Sequence, residues 1–202
     1  MENYCVMCEE LFLLEMLMRN ILIIRYFLHI IQWAYVMTNS SDMRKINPRL
    51  ALALFIVGCM ALGSASGLLS NSGPGPWYDA LEKSSLTPPS WVFGVVWPTL
   101  YLLMAVAVWM IWRLPDSPAR TNALWLFAAQ FLINLSWSPL FFGAQLILPS
   151  LIVIAVLFIV LALTIRRFRA LEATAAALLL PYLAWIGFAS YLELVIYLKN
   201  SL

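Results

Sequence analysis

Five stretches of this chain are long, apolar and nearly free of charge, and nothing else in the sequence restricts its fold so severely. They run from about Leu50 to Leu69, from about Ser90 to Trp112, twice between Arg120 and Arg166 with a break around Pro139, Gly143 and Pro149, and from about Ala173 to Tyr197. Roughly 20 apolar residues in a helix cross a hydrocarbon layer about 30 Å thick, so each stretch is long enough to span a bilayer once. A water-soluble core is not an alternative: with 63% hydrophobic and 11% charged residues, the chain has too little polar surface to cover itself. Runs of this length, without alternating apolar and polar positions, satisfy their backbone in lipid only as helices, which excludes a transmembrane barrel. The expected fold is an all-α membrane protein: a five-transmembrane-helix bundle over residues 43–202, preceded by an N-terminal amphipathic extension over 1–42.

The basic residues give that bundle an orientation, because Lys and Arg in short loops are retained on the cytoplasmic side. Arg44, Lys45 and Arg49 precede the first stretch, Arg113 and Arg120 follow the second, and Arg166, Arg167 and Arg169 follow the fourth; only Lys83 and Lys199 fall on the opposite face. The core N-terminus is therefore expected in the cytoplasm, with the C-terminus and the Trp77 to Pro89 loop outside. A net charge of +2, spread over scattered positions, offers no patch for nucleic acid.

Residues Leu11 to Met37 are apolar enough for a helix, yet Glu15, Arg19, Arg25, His29 and Gln32 fall on one arc of it. That pattern describes an interfacial helix better than a sixth span. Met43 opens the segment MRKINPRLALALFIVG, a basic head leading directly into an apolar helix, which also suits a natural translation start and would leave 1–42 outside the native chain. Cys5 and Cys8 have C-x-x-C spacing, but no second Cys/His pair completes a tetrahedral site, and no metal is expected. Cys59 reads as a small core hydrophobe. His29 is the one histidine, so any tetrapyrrole bound beyond Met43 would lack an imidazole ligand and depend on stacking and packing.

Without a core histidine the hydrolytic triads are unavailable, and no G-x-x-x-x-G-K-[ST] phosphate loop occurs. The chemistry of the chain lies in its aromatics. Between Trp77 and Tyr101 the sequence WYDALEKSSLTPPSWVFGVVWPTLY combines Trp77, Trp91 and Trp97 with the stiff Pro88–Pro89 pair, a combination suited to gripping a flat, greasy ligand. Trp97 and Tyr101 are one helical turn apart; Asn134, Trp137 and Phe141 share a face, as do Tyr182, Trp185, Ala189 and Glu193. Each stripe can line one cavity, and Pro98, Pro139 and Pro181 can bend the helices around it. Each residue taken singly also fits a structural role: Trp and Tyr populate bilayer interfaces, Asn134 can glue two helices, and Gly63 with Gly67 in G-x-x-x-G spacing can seat a neighbouring helix within the chain or across a dimer.

The segments WYDALEK, LTPPSWVFGVVWPTLY, AAQFLINLSWSPLFFG and PYLAWIGFASYLE, in that order and spacing, resemble the TspO/MBR family of tryptophan-rich sensory proteins and mitochondrial translocator (peripheral-type benzodiazepine receptor) proteins. The resemblance covers about Met43 to Leu202. It implies five tilted helices, a cavity open toward the first loop, homodimers, and ligands such as protoporphyrin IX, haem, sterols and benzodiazepine-type drugs, with no required cofactor beyond a porphyrin or haem held as ligand. It also implies roles. Trp97 and Trp185 match tryptophans associated with porphyrin binding and light-dependent porphyrin breakdown, and would be the catalytic pair if the protein is an enzyme. Tyr78, Pro88, Asn134, Trp137 and Ala189 match other pocket positions, with Tyr101, Phe141 and Glu193 added by the stripes. Val195, Tyr197 and Lys199 satisfy the L/V-x-Y-x-K/R sterol pattern, which apolar helix ends match easily.

Four positions depart from the family pattern: Ser84 replaces a usual Pro, Leu86 a common Trp, Val95 a frequent Pro and Glu193 a usual Asn. A carboxylate in a span is costly and usually faces a cavity or partner, though Lys199 and the helix end leave an interfacial placement open. Three functions are compatible with these residues: a binding and regulatory protein for tetrapyrroles and sterol-like lipids, a light-dependent enzyme degrading protoporphyrin IX, and a transporter of hydrophobic small molecules. The expected location is a bacterial inner membrane, with the mitochondrial outer membrane as alternative.

Overall fold

The computed structural model describes residues 47–70 and 75–200, all within the unit Ser40–Leu202. The interfacial helix expected between Leu11 and Met37, the Cys5 and Cys8 pair, His29 and the boundary near residue 42 lie outside the described residues. The described chain is helical: α1 Pro48–Leu69, α2 Pro76–Ala80, α3 Ser90–Trp112, α4 Pro118–Ser138 continued by a π-helical turn Pro139–Gly143, α5 Ile147–Leu171, α6 Ala173–Leu178 and α7 Leu180–Asn200. Among the described residues five rods are long and apolar enough to cross a bilayer, namely Pro48–Leu68, Ser90–Trp112, Pro118–Gly143, Ile147–Leu171 and Ala173–Asn200. The protein is a multi-pass helical membrane protein.

Local chemistry sets the ends of these rods. Asn47 caps α1 by accepting the Arg49 amide at 2.9 Å, and Ser117 caps α4 by accepting the Arg120 amide at 3.2 Å; in both helices a proline occupies the first turn, where its missing N–H costs nothing. Pro98 sits inside α3, depriving the helix of one amide donor there. Pro181 falls in the first turn of α7, and the single helix expected from Ala173 to Tyr197 is divided at Leu179 into α6 and α7.

The hairpin between the third and fourth spans differs in detail from the break expected around Pro139, Gly143 and Pro149. The rod passes through Pro139 by widening to a π turn, closed by the Ala144 amide on the Pro139 carbonyl at 2.8 Å. The chain reverses at Gln145, whose φ of 57° is left-handed, rather than at Gly143. Pro149 lies in the first turn of α5, where it is tolerated.

Packing then arranges the spans in a ring. α1 rests on α3, α3 on α6, α6 and α7 on α5, α5 on α4, and α4 on α1, so the spans follow one another as first, second, fifth, fourth, third. Gly63 accounts for the close approach of α1 to α3. A Cβ there would stand 2.3 Å from the Tyr101 ring, so the glycine is a seat for that ring and its close contact lies within the chain. Arg120, expected as a topology signal, is also structural: it is buried, its Nε donates to the Trp112 carbonyl at 2.9 Å and its Nη1 reaches Asp116 at 2.9 Å, tying the α3–α4 loop to the end of α3.

Candidate functional site

The ring of spans encloses a cavity of about 20 Å³ lined by Phe93 and Trp97 from α3, Asn134 and Trp137 from α4, Ile154 and Leu157 from α5, and Trp185, Ile186 and Ala189 from α7. The helical spacings explain the convergence. Phe93 and Trp97 are one turn apart on α3, and Trp185 and Ala189 are one turn apart on α7, so each helix presents a continuous face to the interior. Phe93 and Trp185 meet edge to face at 5.7 Å, which joins α3 to α7 across the hollow. Five residues read from the sequence therefore share one hollow: Trp97, Asn134, Trp137, Trp185 and Ala189.

A second tier supports them. Tyr101 stacks on Trp97 at 5.6 Å, and its hydroxyl donates to Asn134 Oδ1 at 3.2 Å, so α3 and α4 are joined just behind the cavity wall. Phe141 lies parallel to Trp137 at 5.3 Å and 8°, and receives the edges of Trp77 at 5.4 Å and Tyr78 at 6.2 Å. Tyr101 and Phe141 thus back the cavity, and Tyr78 belongs to the loop that leans on Phe141 and Phe142. Lys83 lies 4.8 Å from the Tyr78 ring and donates to the carbonyls of Tyr78, Asp79 and Leu81. Burial and then the Asp79 carboxylate push the Tyr78 hydroxyl above the ordinary phenol range.

That loop is fastened to the far end of α7. Asn200 Oδ1 accepts the Glu82 amide and Asn200 Nδ2 donates to the Glu82 carbonyl, each at 3.0 Å, while Lys199 Nζ donates to the Lys83 carbonyl at 3.3 Å. Lys199 is exposed and Val195 and Tyr197 are half-buried near the same end of α7, away from the cavity lining. Pro88 is half-buried in the loop and does not line the cavity; Trp91 stands 71% exposed in the first turn of α3, a position that suits an interfacial indole.

Glu193 turns inward rather than to the interface. It is 2% exposed, and its Oε2 accepts the Trp137 indole N–H at 2.8 Å, linking α7 to α4 one turn beyond Ala189. Sequence reading passed over Phe93, Ile154, Leu157 and Ile186. Phe93 could have been found by extending the Trp97 face by one turn, and Ile186 by stepping one turn on from Tyr182, but Ile154 and Leu157 sit in a uniformly apolar helix that gives no signal of its own. Gln130 was also missed: fully buried one turn before Asn134, it has neither amide atom paired.

Residues 55–198 match the TspO/MBR family. The chain belongs to that family. It is 38% identical to the tryptophan-rich protein TspO of Chlorobaculum tepidum over 75% of this chain and 96% of that one. Identity to the translocator protein of Sus scrofa is 36%, over 72% and 89% of the two chains. The CrtK protein of Rhodobacter capsulatus matches at 30%, over 73% and 91%.

No group of acidic, histidine and cysteine side chains able to hold a metal occurs among the described residues. As packed, the cavity has room for about one water, whereas sites for drug-sized guests occupy roughly 300 Å³ or more, so admitting a planar ligand requires the lining rings to swing apart. Arrangement and composition suit dispersion and stacking, with few polar contacts to fix orientation.

Proposed function

We propose that this protein is an integral membrane binding and regulatory protein for tetrapyrroles, protoporphyrin IX and haem, with sterol-like lipids as a second ligand class. The observation that carries this reading is the meeting of Trp97, Trp137 and Trp185 from three separate spans at one hollow beside Asn134. Indole faces stack on a flat conjugated ring, and the absence of any core imidazole beyond Met43 leaves stacking as the means of holding it. Titration of the purified protein with protoporphyrin IX, haem and a sterol, read by tryptophan fluorescence, tests this. Saturable quenching by the tetrapyrroles, weakened in Trp97→Phe and Trp185→Phe, is the expected result; absence of saturable quenching by either tetrapyrrole rejects it.

A second reading, light-driven breakdown of protoporphyrin IX with dioxygen as oxidant, draws support from Trp97 and Trp185 lining the same hollow, where a guest ring would touch both indoles. Illumination with excess protoporphyrin IX separates the two. Many porphyrins consumed per polypeptide, with turnover lost but affinity kept in either Trp→Phe variant, supports the enzyme; bleaching limited to one porphyrin per chain supports binding alone.

A further inference from the structure

We infer that Glu193 makes this hollow a site for flat apolar ligands carrying a cationic nitrogen, an ammonium or amidinium group. The inference rests on the hollow being a ligand site and adds the charge of the ligand. Glu193 is 2% exposed within a span, and only one of its oxygens is engaged: Oε2 accepts the Trp137 indole N–H at 2.8 Å, while Oε1 is buried without a partner. Ser150 is the second polar side chain within reach of the carboxylate, but it shares its single hydroxyl proton with the carbonyls of Leu146 and Ile147, at 2.6 and 2.9 Å. Among the described residues no Lys or Arg forms an ion pair with it; Lys83 and Lys199 donate instead to loop carbonyls.

A buried acceptor left unpaired, in a bilayer, is costly enough that it marks a site where something else completes it. Glu193 stands directly behind the cavity wall, hydrogen-bonded to one of its residues. Trp137, its hydrogen-bond partner, and Ala189, one turn earlier on α7, both line the hollow. The wall itself also suits a cation, since it is lined by the aromatic rings of Trp97, Trp137, Trp185 and Phe93, and an aromatic ring attracts a cation over its face. Trp185 Nε1 is a buried donor without a partner, able to bind a carbonyl or ether oxygen on the same ligand. Conversely, a ligand carboxylate brought near Glu193 meets like charge, so an acidic porphyrin must turn its acid groups away from it.

A charge series on one ring tests this. Protoporphyrin IX, its neutral dimethyl ester and a derivative with both side arms converted to alkylamines are titrated into the full chain and into Glu193→Gln, with tryptophan quenching as readout. The expected result is that wild type binds the amine form about tenfold or more tighter than the ester, and that Glu193→Gln reduces this ratio to about twofold or less. A ratio near one in wild type, or one that survives the substitution, overturns the inference. Gln keeps an oxygen for the Trp137 N–H; should it nevertheless fail to fold, Glu193→Asn, the residue usual at this position in the family, serves the same comparison. If no porphyrin of the series quenches, the tetrapyrrole reading fails, and an aminoalkyl acridine decides the charge question separately: saturable quenching lost in Glu193→Gln upholds it, and none in wild type overturns it.

Discussion

The third and fourth spans lie side by side and face the same hollow, yet they were built on opposite plans. The third has a mean hydropathy of 1.3 and is 44% buried over its most apolar stretch; the fourth reaches 2.9 and is 28% buried. α4 turns Gln130, Asn134 and Trp137 toward the interior, whereas α5 contributes Ile154 and Leu157 and presents Ile152 and Ile159 outward. In lipid the usual rule of apolar inside is weakened, because both surfaces of a helix can be apolar without cost. Polarity, rather than hydrophobicity, then identifies the inward face. What the contrast teaches is that α4 supplies the directional contacts of the site and α5 supplies its shape.

The strongest way to break this division is Leu157→Ala. Removing a buried side chain that is 1% exposed leaves an enlarged hollow and is expected to destabilise the protein by about 3 kcal/mol, measured by unfolding in detergent, while leaving the ratio of affinities among ligands of equal size unchanged. A shift in that ratio would give α5 a directional role. Gly63→Leu comes next: its Cβ would collide with Tyr101, and forcing the ring from its seat is expected to cost about 2 kcal/mol and to loosen the Tyr101 bond to Asn134. Tyr101→Ala in the same chain should recover part of the loss. Asn134→Leu removes the acceptor for Tyr101 and is expected to cost about 1 kcal/mol, yet to change the order of ligand affinities, which separates it from Leu157→Ala. Ile159→Val, on the lipid side of α5, should change stability by less than about 0.5 kcal/mol and binding not at all.

The same contrast explains which site residues could be read in advance. Trp97, Asn134, Trp137 and Trp185 were legible because indole and amide side chains stand out at helical spacing in an apolar background, and Ala189 through its place one turn beyond Trp185 and the family resemblance. Ile154 and Leu157 were not, since an aliphatic residue on α5 looks the same whether it meets lipid or a cavity. Glu193 was legible as an anomaly but not as a direction: only its hydrogen bond to Trp137 shows that it faces α4 rather than the interface. Tyr78 and Pro88 were read as pocket residues; Tyr78 sits in the short helix α2 against Phe141, Pro88 is half-buried in the loop that follows, and neither is among the residues lining the cavity.

The number of spans, their approximate ends and the aromatic faces were determined by the sequence alone, because span length and helical periodicity are properties of neighbouring residues. The reversal at Gln145, the division of the last span at Leu179, the ring order of the helices and the size of the hollow were decided only by tertiary packing. Those features depend on which side chains interlock across helices far apart in the chain, as Gly63 does with Tyr101 and Trp137 with Glu193, and local pattern carries no record of such pairings.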